Sequence, residues 1–163
     1  MAKTSYAIAL GSNRRSRHGA PAESIAAAAA MLGVERLSVT RHGPAMGDAG
    51  RGFANAAALL DSKLDPPRLL AQLKALERSF GRRTGRRWGP RVLDLDIILW
   101  SEGAFEAPGL VVPHPAFRSR DFVLAPLAEI APAWRDPITG RTVRQLLFLL
   151  SRPSPVDRRR ART

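Results

Sequence analysis

The chain has 163 residues, of which 45% are hydrophobic and 25% are charged, and it contains no cysteine. This composition is typical of one globular domain with its own core, and it excludes a disulfide framework or a thiolate metal site. No apolar run is long enough to span a bilayer and no secretory leader is recognisable, so we expect a cytoplasmic protein without membrane contact.

The charge balance is strongly basic, with 26 Lys and Arg residues against 14 Asp and Glu residues and a net charge of +12. Such an excess favours an anionic partner, either a nucleotide or a nucleic acid. The alternative is that a G+C-rich genome supplies arginine and alanine without a functional reason. We interpret the arginines between Arg78 and Arg91 as functional, and those between Arg152 and Arg162 as a solvated tail.

The first third of the chain predicts a strand, a helix and a second strand. Residues 6–10 form an apolar strand that ends at a Gly-Ser-Asn turn. Pro21 is suited to the first turn of an alanine-rich helix, and Gly33 is suited to its end. Residues 34–40 then predict the second strand, because their apolar members are β-branched or leucine.

A loop and a third strand follow. Residues 41–52 contain four glycines and one proline, so we predict a loop there and favour a lid over a merely mobile connection. Residues 53–60 predict a strand on which Phe53 and Asn55 share one face. An aromatic ring and an amide in this arrangement suit a flat heterocycle, although a core Phe beside a surface Asn is the simpler alternative.

The clearest helix begins after Asp65, which is a good N-cap, with Pro66 in the first turn. Leucines at helical spacing face a core from this helix, and Glu77 lies near its end, one turn before the arginine cluster. The helix therefore leads directly into the most basic part of the chain.

An acidic pair follows the arginine cluster. Asp94 and Asp96 alternate with Leu93, Leu95 and Ile97, which is the period of a strand, so the two carboxylates project from one face. Two neighbouring anions repel each other, and a hard divalent cation such as Mg²⁺ relieves the repulsion. A solvated strand face is the alternative.

Arginines precede this strand on both sides of a Gly-Pro turn. Arg86, Arg87 and Arg91 offer guanidinium groups that match the geometry of phosphate oxygens. An acidic pair next to such a cluster indicates phosphate chemistry on a nucleotide–metal complex. No Walker-type Gly-x-x-x-x-Gly-Lys segment is present, so P-loop chemistry is not expected.

The last part of the chain predicts one polar connection, one rigid segment and two helices. Residues 101–109 read as a surface connection, and two prolines fix the backbone around His114. Residues 122–130 predict a helix, and Thr142 caps a final helix at 143–150. We therefore predict a single domain over residues 1–150 and a flexible basic tail over residues 151–163.

Five segments, in this order along the chain, carry a family resemblance. They are Ala9-Leu10-Gly11-Ser12-Asn13, Phe53-Ala54-Asn55-Ala56-Ala57, Arg87-Trp88-Gly89-Pro90-Arg91-Val92-Leu93-Asp94-Leu95-Asp96, Val112-Pro113-His114-Pro115 and Arg120-Asp121-Phe122-Val123-Leu124. With them the chain resembles hydroxymethyl-dihydropterin pyrophosphokinase, an enzyme of folate biosynthesis, from residue 6 to about residue 150.

The resemblance implies transfer of diphosphate from ATP to 6-hydroxymethyl-7,8-dihydropterin, with release of AMP, by an enzyme that uses two Mg²⁺ ions per active site. It implies an α+β fold, with a mixed, mainly antiparallel sheet, helices on both faces and a ferredoxin-like core. A monomer is expected, with ATP and the pterin as partners and no nucleic acid.

The resemblance also assigns residues. Arg82 and Arg91 are expected to be catalytic, and Asp94 and Asp96 to hold the metal. The ATP-binding set is Glu77, Arg86, Arg87, Trp88, Ile97, His114 and Arg120, and the pterin-binding set is Pro44, Phe53, Asn55 and Phe122.

Two alternatives stay open at this point. Residues 42–47 depart from the family pattern, so the chain could be a divergent member that accepts another substrate. The net charge also leaves room for a basic nucleic-acid-binding module, although no recognition motif of that class is present.

Overall fold

The computed structural model describes residues 2–43, 53–81 and 92–152. Its strands are β1 (Thr4–Ser12), β2 (Arg36–Leu37), β3 (Arg41–Gly43), β4 (Phe53–Ser62), β5 (Asp94–Trp100), β6 (Phe105–Ala107) and β7 (Leu110–Val112). Its helices are α1 (Pro21–Leu32), α2 (Pro66–Ser79), α3 (Asp121–Ile130) and α4 (Val143–Ser151), with a 3₁₀ turn at Phe117–Ser119 before α3.

The main sheet has the strand order β2-β4-β1-β5, and β3 also pairs with β4. All strand pairs in the described ranges are antiparallel, including the small β6-β7 sheet. The order along the chain, strand-helix-strands-helix-strand up to β5, is that of the expected ferredoxin-like core, with β1 and β4 in the centre of the sheet. The predicted α+β fold with a mainly antiparallel sheet is confirmed.

Each face of the main sheet has its own apolar core. On one face, Ile8 and Leu95 pack with Ile25 of α1 and with Leu69 of α2. On the other face, alanines of β1 and β4 and residues of β5 pack with α3 and α4, and the members are Ala7, Ala57, Ile98, Leu99, Val123, Leu124, Leu127, Val143 and Leu146. Because both faces are covered, the helices fix the curvature and the position of every central strand.

The helix ends follow from the local sequence. Helix α1 begins at Pro21 and ends at Gly33, whose φ of 69° is easily adopted only by glycine. Helix α2 begins where the Asp65 carboxylate accepts a hydrogen bond from the Arg68 N–H at 3.0 Å. Thr142 caps α4 and exchanges hydrogen bonds with Gln145, as a capping box does.

The region at 34–43 differs from the sequence prediction. One strand was expected over residues 34–40 and a loop from residue 41, but β2 covers only Arg36–Leu37 and β3 begins at Arg41. The cause is Ser38, which is buried and uses its hydroxyl group to accept the Ala57 N–H at 2.9 Å. Because a side chain takes the place of a backbone acceptor, the strand is interrupted there and resumes three residues later.

The predicted surface connection at 101–109 is also wrong in part, because β6 and β7 form a hairpin there. The Phe105 ring packs edge-on against Trp100 with 6.3 Å between ring centroids, which holds β6 close to β5. Gly109 lies in the turn of this hairpin with a φ of 78°. In the described part of the chain, no helix is both long and apolar enough to cross a membrane.

Candidate active site

The acidic pair lies on β5, at one edge of the main sheet. Asp94 and Asp96 are half-buried and alternate with the buried Leu95, so both carboxylates leave the same face of the strand. Asp96 pairs with Ala9 of β1, and Ala9 packs against the core that contains α3 and α4. The two carboxylates therefore lie on the α3 side of the sheet, as their spacing predicted.

The strand register brings Asn55 into the same row as the acidic pair. Gly11 pairs with Asn55 on one side and with Asp94 on the other, so the three residues form one line across β4, β1 and β5. The two outer residues are two strand spacings apart, or about 10 Å between Cα atoms. The next row along the strands contains Ala57 and Ala9, so the surface next to the acids is lined by small residues.

Gly11 is in close contact with the Asn55 amide. A Cβ atom at position 11 would lie 3.3 Å from Asn55 Oδ1 and 3.9 Å from the Ala54 carbonyl oxygen. The first distance is tighter than an ordinary van der Waals contact, so the absence of a side chain at this position lets the amide lie across the central strand. This contact sets where the Asn55 amide can present its donors and acceptor.

The acidic pair sits in an unfavourable electrostatic environment for anions. Burial raises the pKa of Asp96 above its ordinary value, and the neighbouring Asp94 raises it further. His114 and Lys74 act in the opposite direction and lower the pKa of Asp96. A positive charge next to Asp96 would relieve this repulsion.

The donor set suits a hard divalent cation that is shared with a substrate. In the ranges that the structure describes, no group of three or more His, Cys, Asp or Glu side chains could enclose a metal ion. Two carboxylates on one strand match Mg²⁺, which keeps several waters and commonly completes its shell with phosphate oxygens. The raised pKa of Asp96 agrees with this assignment, because a cation between two acids relieves their repulsion.

His114 borders the acids from the loop after β7. Its backbone N–H donates to the Ile98 carbonyl oxygen at 3.0 Å, and its Nδ1 accepts from the Ala116 N–H at 3.1 Å. Burial lowers the pKa of His114, and this effect outweighs the opposite influence of Asp96. The neutral ring with Nδ1 as an acceptor carries its proton on Nε2, which can donate to an anionic ligand.

Arg120 and Phe122 stand at the start of α3. The Arg120 guanidinium lies 5.7 Å from the centre of the Phe122 ring, and its charge contributes to the lowered pKa of His114. The Phe122 ring is 47% exposed, so one side of it is open to solvent. Phe53 is half-buried at the start of β4, where it pairs with Gly43.

Glu77 reaches β5 from the last turn of α2. Its side chain is fully buried, and Oε1 accepts the Leu95 N–H at 2.8 Å and contacts Lys74 Nζ at 3.2 Å. Glu77 thus touches the one residue that separates the two acids. Its buried carboxylate also raises the pKa of Asp96 slightly, after the larger influences named above.

The match to a known family extends over most of this architecture. The model of the 7,8-dihydro-6-hydroxymethylpterin-pyrophosphokinase (HPPK) family matches residues 7–132, from the central strand β1 to just past α3. The chain belongs to this family. Its resemblance to HPPK, predicted from the five ordered segments, is therefore confirmed.

Curated relatives carry the same name. The enzyme named 2-amino-4-hydroxy-6-hydroxymethyldihydropteridine pyrophosphokinase from Methylorubrum extorquens is 38% identical over 93% of this chain and 96% of its own length. The enzyme of the same name from Pseudomonas aeruginosa is 43% identical over 86% of this chain and 88% of its own length. A relative of the same name from Synechocystis is 45% identical over 70% of this chain, and the match spans 58% of the relative's length.

Solved structures agree at the level of the fold. The HPPK-DHPS protein of Plasmodium falciparum, crystallised with pteroate, has a TM-score of 0.65 and 12% sequence identity to this chain. The alignment covers 90% of this chain and 42% of that one. An HPPK-DHPS structure in complex with substrates gives a TM-score of 0.66 at 10% identity and covers 91% and 43% of the two chains.

The structure of this chain brings together part of the expected site. Burial and charge link Asp94, Asp96, Glu77, His114 and Arg120 in one cluster. Ile97 is only 3% exposed and packs in the α1–α2 core on the opposite face from the acids, so its contact with ATP stays a prediction. The expected residues outside the described ranges are Pro44, Arg82, Arg86, Arg87, Trp88 and Arg91.

Two residues near the acidic pair had no assigned role in the sequence analysis. Gly11 was expected to begin the turn after the first strand, but β1 continues to Ser12, and its pairing brings Gly11 between Asn55 and Asp94. Lys74 is half-exposed and contacts Glu77, three residues further along α2. Its spacing from Glu77 on a helix was a signal that could have indicated this pair.

Proposed function

We propose that this protein transfers diphosphate from ATP to 6-hydroxymethyl-7,8-dihydropterin and releases AMP. The observation that supports the proposal is the row of Asp94, Gly11 and Asn55, in which a carboxylate and an amide lie about 10 Å apart, between Cα atoms, on one surface of small residues. This separation suits a metal–phosphate group at one end and a flat, hydrogen-bonding ring at the other. Family membership supports the same reaction.

The reaction balances without a covalent enzyme intermediate. The pterin hydroxyl oxygen attacks the β-phosphorus of ATP, the bond from that phosphorus to the α,β-bridging oxygen breaks, and AMP leaves with that oxygen. The hydroxyl proton passes to solvent. Transfer of this type requires positioning and neutralisation of charge more than acid–base chemistry from the protein.

We infer that Asp94 and Asp96 hold two Mg²⁺ ions together with the ATP phosphates. When bound, these ions supply positive charge at the bridging and non-bridging phosphate oxygens. The half-buried carboxylates fix the phosphate chain at the edge of β5, because the strand is stiff and both acids leave the same face. The two carboxylates repel each other in the ligand-free protein, and this repulsion favours the binding of a cation between them.

The remaining described residues bind and orient the two substrates. We assign the His114 Nε2–H and the Arg120 guanidinium to donation to phosphate oxygens. His114 interacts with Asp96, and Arg120 interacts with His114, which supports this assignment. Asn55 is placed to read the edge of the pterin ring, and the exposed Phe122 ring is suited to stack on its face. The roles of Pro44 and of the arginines and Trp88 in segment 82–91 stay predictions from the family resemblance.

The proposal is tested with Asp94→Asn and Asp96→Asn. Each variant is expected to lose at least about 1,000-fold in the rate of AMP formation from ATP, Mg²⁺ and the reduced pterin, because one acidic ligand is removed from charge-stabilised transfer. Asp96→Asn should not lower the melting temperature of the ligand-free protein, because burial and Asp94 already disfavour its charged form.

The matched control is Asp61→Asn, which removes an exposed carboxylate on β4 that accepts a hydrogen bond from the Ser5 hydroxyl group at 2.7 Å. It should keep the rate within about 2-fold of the unmodified protein. Absence of AMP formation by the folded, unmodified protein would contradict the proposed reaction, and a near-normal rate in Asp96→Asn would contradict the metal assignment. A monomer and a cytoplasmic location remain our predictions.

A further inference from the structure

The outer edge of β5 is occupied by groups that are not part of a strand. Among the strands of the described ranges, β5 ends the main sheet, so its outward backbone groups face no neighbouring strand of that sheet there. The Leu95 N–H is taken by the Glu77 carboxylate, and the Ile98 carbonyl oxygen is taken by the His114 N–H. Both partners come from outside the sheet and attach within the short stretch that contains the two acids.

The bond from Glu77 is unusual because its acceptor is a completely buried carboxylate. The Glu77 side chain is 0% exposed, and its Oε1 lies 2.8 Å from the Leu95 nitrogen, which is also buried. Burial of a charge is costly unless it is paired and hydrogen-bonded. Lys74, which is 36% exposed, supplies the positive charge at 3.2 Å. A buried acid that is held in this way exerts its effect on the protein groups that it contacts.

The position of this bond links Glu77 to both acids. Leu95 lies between Asp94 and Asp96, and its N–H belongs to the peptide group that joins residues 94 and 95. A hydrogen bond to that N–H fixes the orientation of this peptide plane. It therefore fixes the direction of the Asp94 Cα–Cβ bond directly, and it influences that of Asp96 through Leu95, which lies between the plane and Asp96. The distance between the two carboxylates depends on these directions.

We propose that Glu77 is a positioning residue that sets the geometry of the Asp94–Asp96 pair through the Leu95 N–H, instead of contacting ATP. The inference deepens the proposed function and rests on it, because the paired acids matter only if they hold a cation with the substrate. Supporting groups behind metal ligands commonly change metal affinity or activity by about 10- to 100-fold when they are replaced.

Three substitutions separate the hydrogen bond from the charge. Glu77→Gln keeps an oxygen acceptor of the same length, Glu77→Leu removes the acceptor at similar volume, and Glu77→Asp keeps the charge but withdraws the oxygen by one methylene. We expect Glu77→Leu and Glu77→Asp to raise the half-saturating Mg²⁺ concentration about 10-fold and to lower kcat about 10- to 100-fold. Glu77→Gln should stay within about 3-fold of the unmodified protein in both.

Two readouts do not depend on turnover. Hydrogen exchange of the Leu95 amide, followed by NMR in the ligand-free protein, should become at least about 10-fold faster in the Leu and Asp variants and remain slow in the Gln variant. Binding of Mn²⁺ in the presence of an ATP analogue that cannot be cleaved, measured by EPR, should weaken about 10-fold in the same two variants. Binding of the analogue without a divalent cation should change less than about 2-fold.

The matched control is Leu69→Ala, which removes a buried side chain from the same face of α2 two turns earlier and leaves the Glu77 contacts in place. It should lower stability by about 3 kcal/mol without altering the Mg²⁺ or Mn²⁺ dependence. If Glu77→Leu does not fold, Glu77→Asp carries the same comparison.

The outcomes distinguish the rival explanations. Loss of analogue binding without metal, together with unchanged Mg²⁺ dependence, would overturn the positioning role and favour direct contact with ATP. Equal shifts in Leu69→Ala would also overturn it, because they would reflect stability alone. If the unmodified protein forms no AMP, the proposed function fails, while Leu95 exchange and Mn²⁺ binding still decide the role of Glu77.

Discussion

At the scale of single residues, the site depends on a position without a side chain. Gly11 has an ordinary backbone conformation, so its glycine is not explained by a left-handed turn. The explanation is the close contact with Asn55 Oδ1, which would lie 3.3 Å from a Cβ atom. Strand pairing, and not local sequence, places these residues together, so the acidic pair could be predicted from its alternation while Gly11 could not.

Replacing Gly11 should therefore affect one substrate more than the other. In Gly11→Ala the new methyl group pushes the Asn55 amide out of its position across β1. We expect the KM for the pterin to rise about 10-fold, the KM for ATP to change less than about 2-fold, and the stability to fall by about 1 kcal/mol. Steady-state kinetics with each substrate varied in turn measures the difference.

A substitution four residues away on the same strand provides the control. Ala7→Gly alters β1 at a buried position further from the acids and should lower stability by a similar amount without changing either KM. An equal rise in both KM values for Gly11→Ala would contradict the contact with Asn55 as the cause.

At the scale of elements, the segment that bears His114 and Arg120 is anchored to the loop before α4. Arg118, in the 3₁₀ turn between them, donates Nε–H and Nη2–H to the two oxygens of Asp136 at 2.6 and 2.8 Å. Asp136 is fully buried and also accepts from the Thr139 hydroxyl and the Ile138 N–H. One carboxylate thus ties the segment before α3 to the turn before α4.

This anchor predicts a specific dependence of stability on pH. Burial alone would raise the pKa of Asp136, but the hydrogen bonds from Arg118, Thr139 and Ile138 outweigh it and lower the pKa from 3.8 to about 2. A depressed pKa in the folded state stabilises the protein above the unfolded pKa and loses this effect as pH falls through the folded pKa. Asp136→Asn should therefore cost about 2 kcal/mol at pH 7 and roughly half as much at pH 3.

Urea unfolding of both proteins at pH 7, 4 and 3 measures this difference. Asp61→Asn, which removes an exposed carboxylate, should change the free energy of unfolding by less than about 0.5 kcal/mol at each pH. A deficit in Asp136→Asn that stays constant from pH 7 to pH 3 would show that the carboxylate charge is not the source of the stabilisation.

The elements also show where sequence reasoning succeeds and where it fails. The helix limits at Pro21 and Asp65 were predictable, because N-caps, first-turn prolines and terminal glycines act within a few residues. The break in the strand at Ser38 and the β6-β7 hairpin were not, because their causes are Ala57 on β4 and Trp100 on β5. Contacts of this kind are fixed by the tertiary structure and leave no periodic trace in the sequence.

At the scale of the whole molecule, the net charge of +12 is large for a chain of 163 residues. A charge of this size would also suit a nucleic-acid-binding module, but membership of the HPPK family points to a nucleotide as the anionic partner. ATP, the phosphate donor of the proposed reaction, is a polyanion, and a basic surface raises the rate of its diffusional encounter with the protein. In the part of the chain that the structure describes, His114 and Lys74 lower the pKa of Asp96 and so offset its negative charge.

This field predicts a salt dependence that is confined to substrate capture. The kcat/KM for ATP should fall about 10-fold between 0.05 and 0.5 M NaCl at constant free Mg²⁺, because the Debye length shortens. The kcat should change less than about 2-fold, since bound groups are already in contact. Initial rates at both salt concentrations test this, with sucrose at matched osmolality as the control, and an unchanged kcat/KM would refute electrostatic capture.

The closed outer side of β5 has a consequence for association between molecules. Exposed sheet edges invite strand addition from other chains, which leads to aggregation or domain swapping. Near the acids, the Glu77 carboxylate and the His114 N–H occupy backbone groups that an incoming strand would need. These two contacts thereby block intermolecular β-augmentation next to the acidic pair.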